Sequence, residues 1–271
     1  MRRVIFNQKG GVGKSSIASN LAAISASRGL KTLVIDLDPQ CNSTQYLLGR
    51  DFQTGESDIG VFFAQALSFR HRHKKNLDEF ITPSAYENLS VIAANPELGE
   101  IMSQLESKHK IFKLRDALSK LSGFDAVYID TPPAFNFYTL SALIAADSCL
   151  IPFDCDEFSR QALYNLIENV EETRQDHNDD LEVEGIIVNQ FQPRASLPTR
   201  IVDELREEGL PILDAFISSS IKMRESHDTG IPLIHLAPKH KLTHEYVALF
   251  ELLHPGFAVS ASEETSGKAT V

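Results

Sequence analysis

Ten residues near the start, Asn7-Gln8-Lys9-Gly10-Gly11-Val12-Gly13-Lys14-Ser15-Ser16, combine three glycines, two lysines and two hydroxyls. Glycines at 10, 11 and 13 let the backbone bend tightly and aim several N–H groups at one point. A helix beginning at that point adds its own first-turn N–H groups and its positive dipole end. Such a loop cradles phosphate. Gly10, Gly11, Val12, Gly13, Lys14, Ser15 and Ser16 are the candidate nucleotide contacts, with Lys14 reaching the β- and γ-phosphates and Ser15 offering a hydroxyl to Mg2+. Against the general pattern G-x-x-x-x-G-K-[ST], Gln8 stands where the first glycine would be, and a second lysine, Lys9, opens the glycine run. A glycine-rich turn that binds nothing is the plain alternative.

Two further stretches supply carboxylates. Asp36-Leu37-Asp38-Pro39-Gln40 and Asp130-Thr131-Pro132-Pro133 each follow a short apolar run. In an open parallel sheet, residues just past strand C-termini face the ligand crevice. Acids there can position water or hold a metal ion. Each could instead cap or turn the chain.

These residues need elements to place them. Val4-Ile5-Phe6 is a strand, Ile17, Leu21 and Ile24 mark a helix face, and Lys31 to Asp36 is a buried parallel strand, so the first 36 residues form a βαβ unit around the loop. Strands are expected at 89–94, 125–130, 148–153, 183–189 and 212–217. Helices are expected at 97–107, 109–121, 138–146, 159–174, 196–208, 221–227 and 243–253, with a short helix suggested by the apolar clusters at 59–63 and 66–69. An extended piece is expected at 233–236. The basic run 70–75 (Arg-His-Arg-His-Lys-Lys) reads as a solvated loop, with a metal tract or a nucleic-acid contact as alternatives. The fold class is α/β: one doubly wound P-loop NTPase domain over 1–255, with a mostly parallel sheet flanked by helices, and a polar, disordered tail over 256–271.

Composition is that of a soluble globular chain: 271 residues, 42% hydrophobic and 23% charged. No apolar run approaches the roughly 18 residues of a membrane span. The chain enters a strand at once, so no leader is expected. Cys41, Cys149 and Cys155 lack C-x-x-C spacing and read as reduced packing residues, consistent with a cytoplasmic location. The net charge of −11 does not advertise a nucleic-acid surface but leaves room for a local basic patch.

The chain resembles the ParA-type partition ATPases, within the deviant Walker A group that also contains MinD, ArsA and nitrogenase iron protein. The loop wording, Asp36-Leu37-Asp38-Pro39-Gln40 followed by Asn42, and Asp130-Thr131-Pro132-Pro133 occur in the family's order. Cys41 stands where the family has glycine. The resemblance covers Arg3 to about His254. It implies an ATP hydrolase of weak intrinsic activity with ATP and Mg2+ as cofactors. Lys9 would reach across a nucleotide-sandwiched homodimer. Asp38 would position the attacking water, and Ser15, Asp38 and Asp130 would serve the metal. Asn189, at a strand end, would contact adenine.

The chain also looks like a short bacterial ParA, without a basic amphipathic C-terminal helix, cluster cysteines or a second ATPase unit. Such proteins bind DNA nonspecifically through basic residues of the C-terminal third; here Arg194, Arg200, Arg206, Lys222, Arg224, Lys239 and Lys241 are available, although the family's basic stretch is diluted to Ser-Ser-Ser-Ile-Lys-Met-Arg at 218–224. The implied role is an ATP-switched dimer that positions DNA or protein cargo on the nucleoid, with a ParB-like or other adaptor stimulating hydrolysis. The alternatives are a regulator of polar, flagellar or chemotaxis machinery without DNA, and a metabolic ATP-dependent ligase or reductase of the same fold.

Overall fold

The computed structural model describes residues 1–53, 55, 57–67, 74–155, 157–192 and 196–257. Seven strands form one sheet: β1 (Arg2–Ile5), β2 (Thr32–Asp36), β3 (Ile81–Pro83), β4 (Leu89–Ile92), β5 (Ala126–Asp130), β6 (Ser148–Asp154) and β7 (Glu182–Asn189). Their spatial order is β3-β4-β2-β5-β1-β6-β7, all parallel except the β3–β4 edge pair. Parallel pairing requires crossovers, and these carry helices: α1 (Lys14–Ser27), α2 (Asn42–Leu48), α3 (Ile59–Leu67), α4 (Leu98–Ser107), α5 (Lys113–Leu118), α6 (Phe137–Ala145) and α7 (Glu157–His177); α8 (Ser196–Glu207), α9 (Ile221–Thr229), α10 (Leu233–Leu236) and α11 (Lys241–Leu253) follow the last strand.

The apolar runs alternate between two cores, because successive strand side chains point to opposite faces. Val4, Leu33, Ile35, Val127 and Ile129 face the layer that holds α3 to α8. Ile5, Val34, Ala126 and Tyr128 face the layer that holds α1, α2 and α9 to α11. Burial on both faces is why these strands read as continuous hydrophobic runs. Strand β1 lies inside the sheet, between β5 and β6. Its Arg3, 1% exposed, donates from Nε and Nη2 to Glu184 at 2.7 and 2.8 Å, and from Nη2 to the Leu253 carbonyl at 2.7 Å. Burial works against that guanidinium, but the Glu184 carboxylate together with Tyr128 more than offsets it and raises the Arg3 pKa.

Three expectations change and one edge strand is added. The 212–217 segment runs beside β7 but joins it only through isolated bridges, Ile186 to Ile212 and Phe191 to Ser218. Leu213 fills the space over Gly185, where a Cβ would lie 2.5 Å from it. The 233–236 piece is a helical turn, since Pro232 starts it and its carbonyl accepts from His235 and Leu236. The 109–121 helix shrinks to α5, because His109 adopts a left-handed φ of 52° after α4. A short 3-10 turn at Leu77–Phe80, held by an Asn76–Glu79 capping box, leads into β3, which the sequence pattern did not reveal. Residues 68 and 69 of the expected short helix, the 70–73 part of the basic run, Arg194 and the 258–271 part of the tail lie outside the described residues.

Candidate phosphate-loop site

The loop between β1 and α1 is built by its glycines. Gly11 and Gly13 have φ of 77° and 88°, left-handed values that favour glycine. At Gly13 a Cβ would also lie 2.4 Å from Asn189 Nδ2, so this position is closed to side chains. The first intrahelical bond of α1 runs from Ile17 N to Gly13 O. The preceding first-turn N–H groups therefore have no acceptor within the helix, and no acidic side chain occupies that turn. Asn7 braces the loop from below, its Nδ2 donating to Pro152 O at 2.7 Å and its Oδ1 accepting from Lys9 N at 2.8 Å. Asn189 Nδ2 donates to Val12 O at 2.8 Å, and Gln190 Nε2 to Gly11 O at 3.1 Å.

Lys14, 7% exposed, folds its ammonium back onto the Lys9 carbonyl at 3.0 Å. Burial pulls its pKa down, and attraction to Asp130 and Asp38 partly restores it. Lys9 Nζ lies 3.7 Å from Asp154 Oδ2 at the end of β6. Lys14, Ser15, Asp38 and Asp130 are thus gathered at one place, the C-terminal ends of β1, β2 and β5. Asn189 stands beside them. It lines, with Gly11, Gly13, Ser16, Ser218 to Ser220, Met223 and Arg224, a pocket of about 170 Å³.

The carboxylates there are not equivalent. Asp36 and Asp130 are direct register partners across β2 and β5, and both are fully buried. Asp36 Oδ1 accepts from Asp38 N at 3.0 Å, and its Oδ2 from Thr44 N and Thr44 Oγ1 at 2.9 and 2.8 Å. Asp36 thereby shapes the turn that presents Asp38. Asp130 Oδ2 accepts from Ser43 Oγ at 2.7 Å, while its Oδ1 is buried with no hydrogen-bond partner. Burial pushes both pKa values up, and the proximity of Asp130 adds to the rise at Asp36. Hydrogen bonding with Ser15 and Ser43 opposes the rise at Asp130. Burial also raises Asp38, against the Gln40 N–H and the Lys14 ammonium.

An unpartnered buried carboxylate oxygen beside a serine hydroxyl and a lysine fits a hydrated Mg2+ ion, and the closed glycine cradle fits phosphate. Motif reading had missed the parts played by Asp36, Ser43 and Thr44. The only signal for the last two was the polar run Asn42-Ser43-Thr44 directly after the acids. Cys41, at the N-cap of α2, takes a left-handed φ of 57°, which explains why glycine is the easier residue at that position.

The proposed DNA contacts do not form a comparable cluster. Arg200 pairs with Glu204, Arg206 with Asp214, Lys222 with Glu225 and Lys241 with Glu245.

A family model described as an AAA domain matches residues 3–183. The chromosome partitioning protein ParA of Myxococcus xanthus is 34% identical over 248 residues, which is 90% of this chain and 84% of that protein. Apo McdA of Cyanothece superposes with a TM-score of 0.81 at 23% identity, covering 93% of this chain and 98% of that one. Cobyrinic acid a,c-diamide synthase of Mycobacterium smegmatis, solved with an ATP analogue and magnesium, superposes with a TM-score of 0.71 at 24% identity, covering 89% and 97%. At those identities the two structures speak for the fold alone. With the sequence relative and the loop geometry, the chain belongs to the ParA-type ATPase family and is an ATP hydrolase of the P-loop class.

Proposed function

We propose that this chain is a Mg2+-dependent ATPase whose ATP-bound dimer works as a positioning switch for DNA or a protein cargo on the nucleoid. The observation that carries the reading is the convergence of Lys14, Ser15, Asp38 and Asp130 on one glycine cradle, with one Asp130 oxygen left unpartnered. Gly10 to Ser16 would hold the phosphates, and Asn189, already on the loop backbone, would border the base. Ser15 and Asp130 would hold Mg2+, with Asp38 beside them. The cation would supply charge neutralisation at the transferring phosphoryl group. Asp38 would orient the attacking water, and Lys14 would leave the Lys9 carbonyl to meet the γ-phosphate.

Lys9 would act on the nucleotide of the second protomer, which makes ATP a dimerisation ligand and hydrolysis a timer. Its attachment to Asp154 is half exposed, so exchanging that partner for a phosphate costs little. Mixing Lys9→Ala protomers with Asp38→Ala protomers tests this. If Lys9 acts in trans, the mixture regains hydrolysis that neither variant has alone, because one of its two sites then holds an intact Asp38 and receives an intact Lys9. No recovery in a mixture that size-exclusion chromatography shows to form heterodimers refutes the trans role.

A second reading, an ATP-switched protein-interaction regulator without DNA contact, is favoured by the acidic partners of Arg200, Arg206, Lys222 and Lys241. Salt-sensitive retention of the ATP-bound protein on duplex DNA would decide against it.

A further inference from the structure

His227, on α9, is a half-buried imidazole with no part in the proposed ATPase chemistry. Its Nε2 lies 2.7 Å from Ser16 Oγ, in the first turn of α1. Its neighbours hold the ring there. It stacks on Tyr46 of α2, with centroids 4.4 Å apart and planes 26° from parallel. Tyr46 is 2% exposed. Its hydroxyl lies 2.5 Å from Ser226 Oγ and accepts from Asn20 Nδ2 at 3.1 Å. The same Asn20 nitrogen donates to the Ser16 carbonyl at 2.9 Å, and Asn20 Oδ1 accepts from Leu233 N at 2.9 Å. Helices α1, α2, α9 and α10 therefore meet in one polar knot, and the imidazole joins that knot to the phosphate loop. Helix α2 also carries Ser43 and Thr44, which hold Asp130 and Asp36, so one helix steadies both the acids and the imidazole. Burial, and then the charge of Arg50, holds the His227 pKa below its ordinary value, so the ring is neutral near pH 7.

We propose that His227 is a positioning residue of the nucleotide site: its Nε2–H donates to Ser16 Oγ and so aims the Ser16 hydroxyl proton at a phosphate oxygen of the bound nucleotide. The ligand decides which atom of the pair donates. An ionised phosphate oxygen only accepts, so Ser16 can meet it only by donating. The hydroxyl has one proton. Spent on the imidazole, that proton would leave only lone pairs facing the anion. With Nε2 protonated, the hydroxyl accepts from His227 and donates to phosphate, and each bond in such a chain strengthens the next. Ser16 shares the wall of the 170 Å³ pocket with Gly11, Gly13 and Ser218 to Ser220, whereas Lys14, Asp38 and Asp130 stand where the γ-phosphate would be transferred. The contact therefore falls on the base side of the cradle, and His227 acts on nucleotide binding rather than on the transfer step. The proposal rests on the ATPase reading, in which Gly10 to Ser16 hold the phosphates.

The test is isothermal titration of the full-length protein with Mg2+ and a non-hydrolysable ATP analogue, alongside steady-state ATP hydrolysis. His227→Phe keeps a ring against Tyr46 and removes the donor. It should weaken binding about fivefold and raise KM by the same factor, while kcat moves less than about twofold. His227→Gln, whose amide nitrogen takes the place of Nε2, should recover to within about twofold of wild type. In a Ser16→Ala background, His227→Phe should cost less than about twofold more, because the hydroxyl it aims is gone. Wild-type affinity in His227→Phe would overturn the proposal. So would an equal loss in the Ser16→Ala background, a loss of kcat at unchanged KM, or a His227→Gln variant as weak as His227→Phe. Thermal melting checks each fold, and if His227→Phe is unfolded, His227→Met takes its place with the same expectations. Failure of the wild-type protein to bind the analogue would instead refute the nucleotide site as a whole.

Discussion

The ends of β2 and β5 lie side by side and finish in the same residue, yet the two aspartates have opposite lives. Asp36 spends its oxygens on three donors within its own turn. Asp130 keeps one oxygen back, buried and unpartnered. Register alone would make them interchangeable. What separates them is the chain that follows: after Asp36 it returns as α2 and brings Thr44 within reach, whereas after Asp130 it leaves through Thr131-Pro132-Pro133, whose prolines have no N–H to give. A carboxylate becomes architectural or chemical according to whether the next few residues saturate it.

Substitutions can break this contrast. The largest expected effect is at Asp130: Asp130→Asn should lower ATP turnover by about 10²-fold or more, as loss of a charge at a phosphoryl-transfer site does. The same change should stabilise the nucleotide-free protein. A buried carboxyl with a raised pKa contributes its full stability below the ordinary carboxylate range and loses it as pH rises through the folded value. Asp130→Asn should therefore raise the nucleotide-free Tm at pH 8 by a few degrees, an effect of about 1–3 kcal/mol, by roughly half as much at pH 5, part-way between the ordinary and the folded value, and little below about pH 4. An equal gain at all these pH values would mean that Asp130 is not the strained acid described here.

Asp36→Ala should act the other way on structure, leaving three buried donors unpaired and lowering stability by roughly 2–4 kcal/mol in a urea titration. A variant as stable as the parent would deny Asp36 its architectural part. Ser43→Ala sharpens the comparison at a smaller scale. Removing one of the hydroxyls that favour the Asp130 anion should move the acidic limb of the kcat–pH profile upward and slow turnover several-fold near neutrality. A uniform loss at all pH values would indicate packing alone. The smallest effect belongs to Asp154→Asn, which removes an exposed partner of Lys9 and should shift ATP-dependent dimerisation by about twofold toward the dimer, read by analytical ultracentrifugation.

The sequence pattern reached the loop, Asp38 and Asp130 because each lies within a few residues of the strand that aims it, and local order sufficed. It could not reach the Asp36–Asp130 pairing, since β2 and β5 are adjacent only through a crossover of about ninety residues. Nor could it tell Asp130's open oxygen from Asp36's filled ones, which depends on where Ser43 and Thr44 return. The 212–217 segment has strand-like residues but lies along β7 with too few ladder bonds to be one. The basic run 70–75 gave no hint that the fold sets Lys74 and Lys75 across a cleft from Lys113 and Lys120, some forty residues later.

The Arg3 network sets an order of events during synthesis. The strand that carries the phosphate loop leaves the ribosome well before its neighbours in the sheet, residues 126–130 and 148–154. Its buried Arg3 guanidinium meets Glu184 only once β7 is made and the Leu253 carbonyl only with α11. A nascent chain therefore holds the loop's residues long before it can hold the loop's shape. Nucleotide binding during translation should begin only once the C-terminal helix has emerged, which makes α11 a checkpoint on the birth of an active ATPase.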